Sequence, residues 1–291
     1  MKDFPIPVRT IGPGSQAEEE TLEYMPMPSG METFRAPILP EPEELGNREL
    51  ACQALRESLV QLGKTMQEGC NHSVSLNGLP EADLKLINTV LGEGEVSALV
   101  TTPGEKSDTS YELRVQESVF AGVWRVIQTV GGLVTSDTIE LGYIPQALRD
   151  TAKQDVWDTV PRWQGTLPPN VQNAPLLLDE IEDQWKQWKP DQPAYVVNLT
   201  LLPMSVEDIG FMDHHLGTGR VVILSRGYGN CRITNTCMPH TWRVVYYNSQ
   251  DLVILNTVEV TELPDVAQAA KEDLEDSYDR LKDVLEWVES A

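Results

Sequence analysis

The chain has 291 residues, with 45 Asp and Glu against 22 Lys and Arg, a formal net charge of −23. That balance argues against nucleic acid, because duplex affinity comes mostly from Lys and Arg neutralising phosphates. The same sign disfavours anionic lipid surfaces. With 41% hydrophobic residues the chain can bury a core of one large or two small domains, and no stretch approaches the roughly eighteen apolar residues of a spanning helix. Asp3, Pro5 and Pro7 interrupt the first residues, which therefore do not read as a secretory signal. Four cysteines (Cys52, Cys70, Cys231, Cys237) are too few for a disulfide scaffold at this length. The expectation is a cytoplasmic protein with reduced thiols.

Residues 1–45 carry nine acids, three bases and eight of the 20 prolines. Proline at that density stops helices and central strands, so this segment reads as an extended or disordered acidic arm. Residues 46–152 follow as a helix and a first repeat. Cys52, Leu55, Leu59, Leu62 and Met66 recur at helical spacing and predict an amphipathic helix ending near Gly69. Leu76, Leu79 and Pro80 then match Leu199, Leu202 and Pro203, and Asp83, Leu84, Ile87, Leu91, Gly92 and Gly94 match Asp208, Ile209, Met212, Leu216, Gly217 and Gly219. Both stretches predict a short helix stopped by glycine.

Val96 and Ala98 match Val221 and Ile223; Trp124-Arg125-Val126 matches Trp242-Arg243-Val244; Leu133, Val134, Thr138, Glu140 and Pro145 match Leu252, Val253, Thr257, Glu259 and Pro264. An ordered series of this kind is an internal duplication. Each copy reads helix, four strands, helix. Period-two alternation supports the strands, as in Tyr111, Leu113 and Val115 against Glu112, Arg114 and Gln116. The fold class is α+β: two tandem repeats, each an antiparallel meander with helices on one side. Residues 153–198 hold four of the seven tryptophans and read as a connector wedged between the halves. Residues 199–291 form repeat 2 and end in an acidic helix with a Leu274, Tyr278, Leu281, Leu285, Val288 stripe.

No nucleophile elbow, phosphate-binding loop or dinucleotide fingerprint occurs. His214 and His215 are adjacent and point apart on a helix, and Cys70 and His72 lack the second ligand pair of a tetrahedral zinc site. Cys231 and Cys237 replace Leu113 and Val119 of the first copy, which favours buried hydrophobes. A redox or metal role for the two stays open at this point. Gly227-Tyr228-Gly229-Asn230-Cys231-Arg232-Ile233 reads as a tight turn leading into a strand. It reads equally as a partner-contact loop, because Tyr and Arg dominate interface energies.

The run Gly227–Ile233, with Trp242–Val244, Asn248, Ser249 and the strand Thr257–Leu263, resembles the C-terminal conserved region of hydrogenase expression/formation proteins of the HupH/HyaF/HoxQ type. The resemblance covers the whole chain. It implies a cytoplasmic, non-enzymatic accessory protein without a cofactor, acting in maturation of a [NiFe] uptake hydrogenase. The implied partner is the precursor of the iron–sulfur small subunit, carrying a twin-arginine export signal, together with other accessory proteins. The first copy lacks the Gly-Tyr-Gly turn and both cysteines, so the second copy is the partner-facing half. Tyr228, Asn230, Arg232 and Trp242 are the candidate contact residues, although Trp124 repeats Trp242 and gives it an equal reading as core. The alternative is metal or cluster handling by Cys231 and Cys237. Of the −23 charge, −14 lies in residues 1–45 and 259–291. Removing residues 1–45 should therefore slow association with a basic client and flatten its salt dependence, measured as on-rate against ionic strength.

Overall fold

The computed structural model describes residues 48–102, 110–227 and 229–290; the expected arm of residues 1–45 lies outside the described residues. The predicted apolar stripe forms one side of α1 (Glu49–Glu68), with Leu55 and Leu62 fully buried and Cys52, Leu59 and Met66 packed at the edge of the same core. Gly69 stops the helix at a φ of 71° and donates its N–H to the Thr65 carbonyl, a conformation that glycine reaches without strain. The first copy continues as β1 (His72–Ser75), α2 (Glu81–Leu91), β2 (Val96–Thr102), β3 (Tyr111–Glu117), β4 (Val123–Val130), β5 (Leu133–Leu141) and α3 (Gln146–Gln154). The second repeats this order as α4 (Ala174–Gln187), β6 (Tyr195–Asn198), α5 (Val206–Leu216), β7 (Val221–Ser225), β8 (Asn230–Asn235), β9 (Thr241–Tyr247) and β10 (Val253–Val260). A one-turn 3-10 helix (Asp265–Ala267) takes the place of α3, and α6 (Lys271–Ser290) closes the chain.

Among the described residues each copy thus has five strands, where the sequence pattern shows four. The additional strands, β1 and β6, have four residues each, too few to display an alternation. All ten strands form one antiparallel sheet in the order β1-β5-β4-β3-β2-β7-β8-β9-β10-β6. The copies meet at β2 and β7, where Ala98 pairs with Ile223, its own counterpart in the repeat. Val96 pairs with Ser225 and Val100 with Val221, so a pseudo-twofold axis runs through the Ala98–Ile223 pair.

Helices cover both faces, which corrects the expectation of helices on one side. Neighbouring residues of a strand point to opposite faces, and Val123 and Trp124 in β4 are both fully buried. Val123 joins α1, α2 and α6 in one core; Trp124 joins α3 and the 3-10 helix in another. A third core gathers α4, α5, β6 and β10. On the face of Val123, helices therefore cover the two outer thirds of the sheet. On the opposite face, α3 and the 3-10 helix cover the centre.

The tryptophans of 153–198 pack on the second copy. Trp185 and Trp188 edge the third core, Trp188 stacks on His240 with ring centroids 3.7 Å apart, and Trp163 lies edge-on to Phe211. α6 crosses back to the first copy: Leu274, Leu281 and Leu285 share a core with Leu55 and Leu62. At the crossing, a Cβ on Gly63 would stand 3.3 Å from the Tyr278 ring.

One device holds the helix pair of each copy. The Asp83 carboxylate accepts the Ala51 N–H at the start of α1. Its counterpart Asp208 accepts the N–H groups of Gln172, Asn173 and Ala174 at the start of α4 and closes a capping box with Ser205. Asp208 is 1% exposed. Burial alone would raise its pKa, but donation from the backbone of Ala174, Gln172 and Ser205 and from the Ser205 hydroxyl outweighs burial and lowers it to about 2. A pKa below the unfolded value adds stability above pH ~4 that is lost as pH falls through the folded value. Asp208→Asn should lower unfolding free energy at pH 7 by about 1–2 kcal/mol. In chemical denaturation the gap between variant and parent should narrow as pH falls from ~4 towards ~2.

Candidate partner-binding site

Strand β7 runs into the turn that the sequence singles out. A Cβ on Gly227 would lie 2.1 Å from Oε2 of Glu95, so a side chain here would make the exposed Glu95 carboxylate swing aside. Gly229 has a φ of 104°, which an L side chain rarely adopts. Of the two glycines, Gly229 is set by its backbone angle, while Gly227 lets the Glu95 carboxylate lie close. Tyr228 lies outside the described residues.

Asn230 and Arg232 are exposed. The register Leu224–Arg232 and Ser97–Leu224 places Arg232 on the central third of the sheet, which no helix among the described residues covers. Leu99 and Leu224, 40% and 45% exposed, share that strip. A hollow of about 410 Å³ here is lined by Leu224, Arg226, Asn230, Arg232, Tyr247 and Asp251. Trp242 is not part of it. It is 2% exposed, sits on the opposite face in the central core, and donates its indole N–H to the Glu262 carbonyl. Trp124 does the same to Gly142. Trp242 is therefore a core residue with no surface to offer a partner, and it leaves the contact set.

Behind the turn, on the other face, a cavity of about 780 Å³ opens between Val96, Ser225, Gly227, Tyr246, the 3-10 helix and the start of α6. Its charged lining among the described residues is Glu95, Glu117, Asp265 and Asp273, with no Lys or Arg among them. Glu117 is 7% exposed. Burial pushes its carboxyl up to about 7, against hydrogen bonds from the Gly122 and Val96 backbone, and the charges of Glu95 and Asp273 add to the rise. Sequence reasoning passed over these four acids, because in a chain of this charge they look like any others. The alignment held a usable signal: Glu95 and Glu117 fall opposite Arg220 and Asn235.

The pseudo-twofold axis makes that comparison physical. At the far end of the β2–β7 seam, Asn235 Oδ1 accepts the Val221 N–H, just as Glu117 accepts that of Val96. Arg220 there pairs with Asp155 at 2.6 Å and bonds Thr102. One end of the seam is closed by a compensated ion pair, and the other is open and acidic.

The structure does not bring Cys231 and Cys237 into one ligand set. Cys231 lies in the central core. Cys237 takes the place of Val119: its N–H donates to Leu216 as that of Val119 does to Leu91, both at 2.8 Å. Burial pushes both thiols up, away from the thiolate a metal needs. His215 stacks on Phe211 and bonds its carbonyl.

These features define a duplicated α+β protein built on one ten-stranded antiparallel sheet, with an acidic cavity at one end of the junction. The family described as "HupH hydrogenase expression protein, C-terminal conserved region" matches it twice, at residues 49–168 and 171–288. The chain is 50% identical over the full length of both proteins to hydrogenase expression/formation protein HoxQ of Cupriavidus necator. It is 44% identical to HupH of Rhodobacter capsulatus over 99% of each chain. To the hydrogenase-1 operon protein HyaF of Escherichia coli it is 31% identical, over 97% of this chain and 96% of the other. The chain belongs to this family of hydrogenase expression/formation proteins.

An acid whose folded pKa exceeds its unfolded one loses stability as pH rises between the two values. Parent stability should therefore decline from pH ~4 to ~7 through Glu117, and Glu117→Gln should remove that part of the decline. Thermal unfolding of both proteins across this range measures it.

Proposed function

We propose that this protein is an accessory assembly chaperone in maturation of a [NiFe] uptake hydrogenase, holding the immature iron–sulfur small subunit before export. Family membership supports a role in hydrogenase maturation. The observation that carries the finer reading is the cavity beside the Gly227–Asn230 turn, whose charged lining among the described residues is all acidic. Clustered carboxylates with low-dielectric walls focus a negative potential that attracts an incoming cation, and the client reading supplies one in the arginine pair of its leader. Glu95, Asp265 and Asp273 are exposed at the rim, where they steer encounter more than they add affinity.

Asn230, Arg232 and the apolar strip of Leu99 and Leu224 extend the contact on the other side of the turn. Tyr228 belongs to the same contact in this reading. The protein is read as non-catalytic, without a cofactor and cytoplasmic. Among the described residues no helix is long and apolar enough to cross a membrane. The alternative of metal or cluster handling by Cys231 and Cys237 finds no support in their separate, buried surroundings.

Co-purification from cells expressing the small-subunit precursor tests the proposal. The parent should retain the precursor, and the Asp265→Lys, Asp273→Lys pair should weaken binding by roughly tenfold or more, mainly through a slower and less salt-sensitive on-rate. A Cys231→Ser, Cys237→Ser protein should bind normally. Absence of any complex, with normal hydrogenase activity in a deletion strain, would overturn the reading.

A further inference from the structure

Cys70 and His72 alone do not make a metal site. The chain reversal at Gly69 supplies the missing partner, because it folds the residues after α1 back onto the helix's last side chain, Glu68. The Cys70 Sγ then lies 3.6 Å from Glu68 Oε2, and His72 Nε2 lies 3.2 Å from the same oxygen. The three ligand atoms all fall within 4.8 Å of one another, and no other such group of three occurs among the described residues. A tetrahedral ion with bonds of about 2.0–2.1 Å to nitrogen and oxygen and 2.3 Å to sulfur spaces its ligands by roughly 3.3–3.6 Å. The sulfur–oxygen spacing of 3.6 Å already has that length, and the nitrogen–oxygen spacing of 3.2 Å falls 0.1 Å short of it.

The surroundings of His72 point the same way. Its Nδ1 is 3.2 Å from the Cys70 carbonyl, which can only accept. Nδ1 is also 3.2 Å from Thr65 Oγ1, whose own proton is donated to the Leu141 carbonyl at 3.1 Å. Both contacts place a ring proton on Nδ1, which leaves Nε2, beside Glu68, as the nitrogen an ion can take in exchange for any proton it carries. A backbone-anchored Nδ1–H is the usual support of an Nε2 metal ligand. The last turn of α1 holds no base, so the negative end of the helix adds to the attraction for a cation.

The second copy lacks the set. At the β1–β6 offset its counterparts are Asp191, Pro193 and Tyr195, so the duplicated fold does not require Cys70 and His72.

We propose that Glu68, Cys70 and His72 bind one divalent transition-metal ion of the zinc class. A carboxylate oxygen, a thiolate and an imidazole Nε2 are its ligands, and water takes the fourth position. Binding releases the Cys70 thiol proton to solvent. Thiolate with imidazole favours zinc, cobalt or nickel over magnesium or calcium. The site is independent of the chaperone reading and stands or falls without it.

Zinc titration of the full chain, in competition with a chromophoric chelator, tests the site. One equivalent should bind, and zinc should raise the parent's melting temperature. Cys70→Ser and His72→Asn should each weaken binding by roughly tenfold or more. Both positions are on the surface or half-buried, so both variants should melt like the zinc-free parent. With cobalt, the parent should show a sulfur-to-metal charge-transfer band that Cys70→Ser abolishes and the Cys231→Ser, Cys237→Ser protein keeps. Absence of stoichiometric binding would reduce the cluster to an ion pair. Binding that survives Cys70→Ser but fails in the Cys231→Ser, Cys237→Ser protein would likewise overturn the site.

Discussion

The structure depends on the pairing of β2 with β7. Each copy alone would end in an edge strand with unpaired backbone groups and an apolar inner face, an arrangement prone to pair with other chains. Here each copy supplies the other's missing neighbour. The register is symmetric about Ala98 and Ile223, and slipping it by one residue would turn Val96, Val100, Val221 and Ile223 out of the central core. α6 reinforces the arrangement by packing a helix from the end of the second copy into the core of the first. The two copies therefore share the central core, and the core of the first is completed by a helix of the second.

The same seam builds the candidate site. Glu95 precedes β2 and Gly227 follows β7, so only their pairing sets the carboxylate against the turn. At the other end the corresponding groups are Arg220, Asn235 and Asp155, which satisfy one another. The duplicated fold has two equivalent ends, of which one is neutralised and the other is acidic. Holding Glu117 at 7% exposure among other acids opposes stability at neutral pH, as is common where a site is built for binding.

Much of this was legible in the residues. Helices α1, α2, α5 and α6 show in their apolar spacing, and Gly69, Gly92 and Gly217 mark three of their ends. The Gly227–Ile233 motif showed as a turn leading into a strand. Other features were not legible. β1 and β6 are too short to alternate. The Trp-rich segment contains α4, whose role as counterpart of α1 emerges from Asp208 capping it as Asp83 caps α1. Trp242 looked like a contact residue because aromatic rings serve cores and interfaces alike; only its burial distinguishes the two.

The sequence by itself determined the duplication, the helix faces and the strand alternation, because these follow from local periodicity and from residues within a turn of one another. The tertiary structure alone decided that the repeats share one sheet, that helices cover both faces, and that Glu95 meets Gly227. It also decided that Glu68 meets Cys70 and His72. A strand's side-chain period of two is the same whatever strand lies beside it, so partners distant in sequence leave no periodic trace. Glycine's left-handed turn at residue 69 can be anticipated as a helix stop. Which side chains that turn brings together depends on where β1 docks, and that is set by its pairing with β5 far along the chain.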